Sequence, residues 1–385
     1  MIRHSRDMLK RVLQVVLPMV ILIGIVIGSC QIHISRIGSD MQAVYVKASV
    51  NEILEDYANN TPFVGNQKVL ATVTSGEYAG RTCELENSNS YQRGALCYPG
   101  TKIIALLQEN SDGSLTGSVY NYDRTDMIYL LLGLFAVILI LVGGMKGAAA
   151  LYALVFTFVC IICMYIPFLC MGMNGILAAI LTSVVILVVS IYILNGWSVK
   201  SACAIVGTTV GIAVSGLLAM AIGLASNLTG YNMQDVESMV YIANGTNLDV
   251  TNILYAGILI SSLGAVMDVS VSMVAAMQEV HEKAPQLTAK ELFLSGMRIG
   301  RDTMGTNSNT LILAYTGSAT SVFLTVYCYQ MSFLQIAGYN SIIIEILCSL
   351  CGTIGVVLTV PLQAVITTAA LKSRMFRRKT KTSQP

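Results

Sequence analysis

The chain has 385 residues, of which 55% are hydrophobic and only 11% are charged, with a formal net charge of +2. Its mean hydropathy is +0.68. A soluble domain of this size needs far more charge to cover its surface, so the composition excludes an ordinary soluble protein. We expect a predominantly α-helical polytopic membrane protein.

Hydrophobic segments long enough to cross a bilayer recur along the chain, and we predict about eight transmembrane helices. They divide the chain into a cytoplasmic N-terminus with a first anchor (1–32), an extracytoplasmic domain (33–126), a seven-span domain (127–371) and a basic cytoplasmic tail (372–385). The predicted spans cover residues 12–32, 127–144, 147–167, 172–194, 202–226, 251–277, 309–330 and 341–370.

Basic residues predict the orientation of these spans. Lys and Arg cluster before the first span and after the last, and the short loops on the opposite side carry none. The positive-inside rule therefore puts both termini in the cytoplasm of a multi-pass plasma-membrane protein. We interpret the first span as an uncleaved anchor; the alternative is a cleaved signal, since Ile27–Cys30 resembles a lipoprotein cleavage site.

Residues 33–126 are predicted to form a small β-rich domain outside the membrane. The stretch 41–60 suggests a strand followed by a short helix, and four short strands follow between turn signals. Four or five antiparallel strands of this length favour an OB-like or SH3-like barrel. The domain is mildly acidic, which argues against nucleic-acid binding. Cys83 and Cys97 either form a disulfide here or stay free thiols.

The sixth predicted span contains an isolated acidic residue, Asp268, with no basic residue nearby. A carboxylate within a bilayer is costly and usually has a partner or a task. Small and polar residues recur with it at helical spacing and predict one polar face of a helix. That stripe consists of Gly257, Ser261, Gly264, Asp268, Ser272, Ala275 and Glu279.

The inner loop at 278–308 and the seventh span continue this polar region. Thr288 and Glu291 fit a capping box, which predicts a short amphipathic helix lying in the membrane interface or packed against other loops. Gly305, Asn307 and Asn309 then fit poorly with a regular helix in lipid, because irregular backbone survives there only inside protein. We therefore predict a broken or re-entrant start of the seventh span.

We predict a polar site between the sixth and seventh spans that binds a small ion or solute or relays protons. Taken singly, its amides and hydroxyls could instead join helices, and two of its carboxylates could form loop ion pairs with Arg301 and Lys283. The metal identity is open, and no cofactor or catalytic motif is recognised. The candidate residues are Asp268, Ser272, Glu279, Asp302, Asn307, Asn309 and Thr310.

The segments SSLGAVMDVSVSMVAAMQEV and ELFLSGMRIGRDTMGTNSNTLILAY resemble the YibE/F-like family of prokaryotic multi-span membrane proteins. The resemblance implies an anchor, an outer domain and a seven-span block, but no particular activity or substrate. It marks as family-motif positions Gly264, Asp268, Ser272, Glu279, Gly300, Asp302, Asn309 and Thr310.

Two functions fit these observations. The first is a transporter or permease-like protein in which Asp268 couples an ion or a proton to transport. The second is a membrane scaffold or envelope sensor that acts through its extracytoplasmic domain. We expect the lipid bilayer as a partner and no nucleic acid, and the sequence allows a homo-oligomer or an envelope protein partner.

Overall fold

A computed structural model of the chain describes residues 2–31, 43–57, 64–90, 94–109, 115–233 and 235–373. The predicted basic tail beyond residue 373 lies outside the described residues. The chain divides into two compact units, one formed by residues 36–142 and the other by residues 1–35 together with 143–385. Each unit is described by itself below, as the barrel and the bundle.

The barrel is a closed five-stranded sheet in the order β1-β2-β3-β5-β4. Side chains alternate along the strands, so that residues such as Val69, Leu85 and Ile103 fill the interior while their neighbours face outwards. The strands are β1 (Ala43–Tyr57), β2 (Gly65–Val73), β3 (Thr82–Asn89), β4 (Lys102–Glu109) and β5 (Leu115–Tyr122).

Two details of the predicted barrel were wrong. The expected helix after the first strand does not form, because β1 runs to Tyr57 and absorbs register shifts between Val50 and Glu52 and beyond Ile53. Such bulges interrupt strict alternation and make a strand look irregular in sequence. The pairing is also not wholly antiparallel, since β3 runs parallel to β5. A closed five-stranded barrel with this crossover fits the OB-like alternative.

Helices make up the rest of the described chain. The longest apolar one is interrupted by non-helical backbone at Gly144, which has φ 54° and ψ −135°. The helices are α1 (Ile2–Gln31), α2 (Thr125–Cys160), α3 (Ile166–Cys170), α4 (Gly175–Asn195), α5 (Val199–Ala225), α6 (Val236–Gly245), α7 (Ile253–Lys283), α8 (Ala289–Ser318), α9 (Thr320–Cys328), α10 (Phe333–Ala337) and α11 (Asn340–Lys372).

Among the described residues, five helical segments are long and apolar enough to cross a membrane. The pair α8 and α9, bent by 64°, would supply a sixth span. The predicted number of about eight is therefore not confirmed. Two predicted spans fall within the single segment Thr125–Cys170, and the apolar part of α1 is the shorter helix Gln14–Cys30.

Glycines bring α5 close to α11 at the centre of the bundle. A Cβ added at Gly207 would lie 1.6 Å from Oε1 of Gln363, and one at Gly211 would lie 2.0 Å from Oγ1 of Thr359. The four-residue spacing of the two glycines is the known signature of close helix packing in membranes. A Cβ at Gly211 would also lie 2.9 Å from Cγ1 of Val266, so α5 packs closely against both α11 and α7 at this point.

Candidate functional site

The predicted polar stripe forms one continuous face of α7, and this face is exposed in the single chain. Its opposite side is buried in the bundle, where Val266, Val269 and Met273 are 0% exposed. A Cβ at Gly257 or Gly264 would meet no atom within 4 Å. The exposed residues are Gly257, Ser261, Gly264, Asp268, Ser272, Ala275 and Glu279, and this set is called the α7 stripe below.

Helix α8 packs antiparallel against α7 through small residues. A Cβ at Gly296 would lie 2.6 Å from Sδ of Met277, and one at Gly300 would lie 2.9 Å from Cε of Met273. The two glycines therefore receive the two methionine side chains, and larger residues there would force the helices apart. Residues of decreasing number along α7 therefore lie beside residues of increasing number along α8.

This packing fixes the depth of Asp268. Asp268 lies five residues from the methionine contact on α7, and Gly305 lies five residues from the matching glycine contact on α8. Because both helices rise equally per residue, Asp268 and Gly305 are level. The hydroxyl of Tyr315 donates a hydrogen bond to Oγ of Ser261 further along and holds the same register.

The start of α8 confirms the predicted capping box. The hydroxyl oxygen of Thr288 accepts a hydrogen bond from the backbone N–H of Glu291 at 3.2 Å. The Glu291 carboxylate accepts one in return from the Thr288 N–H at 2.7 Å. Two donors that the helix leaves unpaired are thereby satisfied. The helix is not the short interfacial one predicted, because it continues for 30 residues to Ser318.

The predicted break at residues 305–310 was also wrong. Helix α8 passes through this segment without interruption, and the 64° bend follows it, at the junction with α9. Polar side chains in the segment are accommodated within the helix. Thr303 and Thr310 each donate a hydrogen bond of 3.0 Å to the backbone carbonyl four residues earlier. Such bonding satisfies hydroxyls without breaking the helix.

The predicted α8 residues point in different directions. At 3.6 residues per turn, Asn307 lies on the same side as Gly300, which packs into the bundle, and it is half-buried. Asp302 and Asn309 lie on the opposite side and are exposed. Within one chain, these amides and carboxylates therefore do not converge on Asp268.

The carboxylate of Asp268 and the hydroxyl of Ser272 make no hydrogen bond or ion pair with any described residue. Glu279 instead pairs with Lys283 at 2.7 Å, and both side chains are exposed. Exposed pairs of this kind contribute little. Asp302 forms no ion pair within the described ranges, even with its neighbour Arg301.

No three His, Cys, Asp or Glu side chains come together as a metal-binding group anywhere in the described residues. The stripe instead offers one carboxylate flanked by a hydroxyl and open glycine backbone. Such a set can hold a proton or contribute to the oxygen shell of a cation.

Sequence reasoning missed three side chains of α8. Tyr315 bridges α8 to Ser261, and the hydroxyl of Ser308 is buried with no hydrogen-bond partner. Arg301, assigned only to a loop ion pair, is exposed on α8 one turn from Gly305. The positions of these side chains relative to α7 depend on the register between α7 and α8, which no sequence pattern within either helix alone predicts.

The barrel contains two cysteines. Cys83 and Cys97 are both buried, free thiols. The Cys97 thiol donates a hydrogen bond to the Ala95 carbonyl at 3.3 Å. Burial raises the pKa of Cys97 to about 11, so its thiol stays protonated near neutral pH.

Long apolar helices packed through glycines, with an isolated carboxylate in one of them, define an integral membrane protein. The profile of the family described as YibE/F-like protein matches residues 131–373, which is more than half of the chain. The chain therefore belongs to the YibE/F-like family, as the sequence resemblance predicted. Comparisons with curated proteins and with solved structures find no match.

Proposed function

We propose that this chain is a membrane transporter in which Asp268 couples the movement of a cation or a proton to that of its substrate. The observation that carries the proposal is the carboxylate of Asp268, which is exposed on a helix long and apolar enough to span a membrane. It has no hydrogen-bond or ion-pair partner among the described residues. It lies level with Gly305, where a Cβ would meet no atom within 4 Å, so the backbone of α8 is open at that depth.

Insertion of an aspartate at the centre of a membrane helix costs roughly 2.5–3.5 kcal/mol. That cost falls when the carboxylate takes up a proton or a cation, because the charge is then neutralised. The free energy of such a carboxylate in the membrane depends on whether a proton or cation is bound. It is therefore suited to couple ion binding to a change between two helix arrangements.

Ion flux in proteoliposomes containing the full chain tests the proposal. An Asp268→Asn variant keeps the size of the side chain but cannot bind a proton, and we expect its proton- or sodium-driven flux to fall at least about tenfold, or ~1.4 kcal/mol. The matched control is Glu345→Gln, which neutralises a half-buried acid in α11. Unchanged flux in Asp268→Asn would refute the coupling role.

We further propose that both termini are cytoplasmic and that the barrel lies outside the plasma membrane. The clustering of Lys and Arg before the first span and after the last supports this orientation. Reporter fusions test it: a phosphatase fused within the barrel should be active, and one fused after Pro385 inactive. The reverse pattern would contradict the orientation.

A second function, that of an envelope scaffold or sensor, has one observation in its favour. Tyr45 and Tyr120 stack edge to face on the barrel surface with ring centroids 5.2 Å apart, and they are 60% and 54% exposed. Exposed aromatic pairs are common at protein-binding surfaces. In this case, replacing both tyrosines by serine should abolish activity while Asp268→Asn leaves it intact.

A further inference from the structure

The face around Asp268 is incomplete in a single chain. The α7 stripe is exposed along its whole length, and Gly264 and Gly305 each leave room for a Cβ with no atom within 4 Å. On the same side of the bundle, α8 exposes Arg301. A carboxylate and a guanidinium thus stand without ion-pair partners among the described residues, on helices packed against each other.

We propose that a second copy of this chain covers this face, with the α7 stripe of each copy packed against the outer side of α8 of the other. Small residues allow membrane helices to approach closely, and polar residues between them replace contact with lipid. Both features lie on this face.

Symmetry decides which residues meet. Two copies inserted in the same orientation are related by a two-fold axis along the membrane normal, so every residue keeps its depth in both copies. Asp268 of one copy therefore lies level with Gly305 of the second copy, where the missing side chain admits the neighbouring helix. Each contact occurs twice, which is the property of an isologous dimer.

Charge complementarity supports this occupant. Arg301 is four residues from Gly305, which is ~6 Å along the helix axis and within reach of an arginine side chain. Arg301 of the second copy can thus approach Asp268 of the first, and the same pair forms again across the axis. Asn309 of the second copy, one turn to the other side, can supply an amide to the same carboxylate.

A purely apolar helix would not meet the needs of this face. The sequence of residues 130–142, LLLGLFAVILILV, is of this kind, since it has no charged or hydrogen-bonding side chain. Such a helix can bury apolar surface but cannot neutralise Asp268. A second copy supplies both the charge and the small residues that the face requires.

Counting fluorophores on labelled full-length protein in lipid bilayers, together with native mass spectrometry, tests the proposal. The variant Gly264→Leu adds bulk to the stripe at a position where a Cβ would meet no atom within 4 Å, and we expect its dimer fraction at a given density to fall at least about tenfold. The matched control is Gly133→Leu, another helical glycine with no atom within 4 Å, which should stay dimeric.

A charge exchange gives the second test. Asp268→Arg or Arg301→Asp alone should weaken the dimer by bringing like charges together, and the double variant should restore it. A wild-type protein that is monomeric in bilayers, or a Gly264→Leu protein as dimeric as Gly133→Leu, would overturn the dimer. A monomer that still carries ion flux refutes only the dimer, whereas a dimer without flux refutes only the transport function.

Discussion

The close approach of α5 to α11 allows one substitution to be predicted in detail. A Cβ at Gly211 would lie 2.0 Å from Oγ1 of Thr359 and 2.9 Å from Cγ1 of Val266. Ordinary contacts begin near 3.4 Å, so Gly211→Ala must displace one of the helices or the threonine. The Thr359 hydroxyl donates a hydrogen bond of 2.7 Å to the Gly355 carbonyl in the buried interior, and this bond would be strained as well.

The expected cost follows from these contacts. Overpacking a core costs ~1–3 kcal/mol, and weakening one buried hydrogen bond adds about 1 kcal/mol. Alanine is the better helix former by ~0.8–1 kcal/mol, which offsets part of the loss. The net destabilisation is ~1–3 kcal/mol, which lowers the Tm of a bundle of this size by roughly 2–12 °C.

Thermal unfolding of the full chain in detergent measures this effect. A thiol-reactive dye is a suitable probe, because Cys203 and Cys351 are buried until the bundle opens. The control Gly133→Ala, at a position with no atom within 4 Å, should keep or slightly raise the Tm. A Gly211→Ala protein that melts at or above the wild-type temperature would refute the packing argument.

Three further substitutions test other parts of the structure. Tyr255→Phe removes a buried hydroxyl that donates to the Leu228 carbonyl and should destabilise the bundle by ~1–3 kcal/mol, measured by the same melting assay. Hydrogen bonds from Thr125 lower the pKa of Asp123 from 3.8 to about 2, so its stabilisation is present above pH ~3.8 and lost as the pH falls towards 2. Asp123→Asn should therefore be less stable than wild type at pH 7 and match it at pH 2, followed by hydrogen exchange in the barrel. Thr288→Ala should cost about 1 kcal/mol and speed exchange in the first turn of α8, with no change in the barrel.

Features that depend only on residues a few positions apart in the sequence were predictable. The capping box at Thr288 and the grouping of small and polar residues on one helix face around Asp268 follow from spacing alone, since both depend on the 3.6-residue turn. The length of β1 was not predictable, because bulges after Val50 and Ile53 depend on pairing with β2. The local sequence pattern predicts which residues share one face of a helix or strand. The residue at which that helix or strand ends depends on its pairing with other parts of the fold.

The candidate site was likewise predictable only in part from the sequence. The depth shared by Asp268 and Gly305 requires the antiparallel register of α7 and α8, which glycine–methionine contacts determine. Composition suggested a broken helix near Asn307, yet α8 continues through this segment, and the hydroxyls of Thr303 and Thr310 bond to carbonyls of their own helix. The direction of Asp302, away from Asp268 within one chain, appears only once the buried side of α8 is known.

The closed form of the barrel limits how it can be recognised. Each of its five strands pairs with two neighbours, so no strand is an edge along its whole length, although β3 pairs with β5 only over Glu84–Glu86. A partner that adds a strand, as partners of open sheets do, would find only short stretches of unpaired backbone. Binding would then depend mainly on outward side chains such as Tyr45 and Tyr120, so single surface substitutions would change the affinity for a partner.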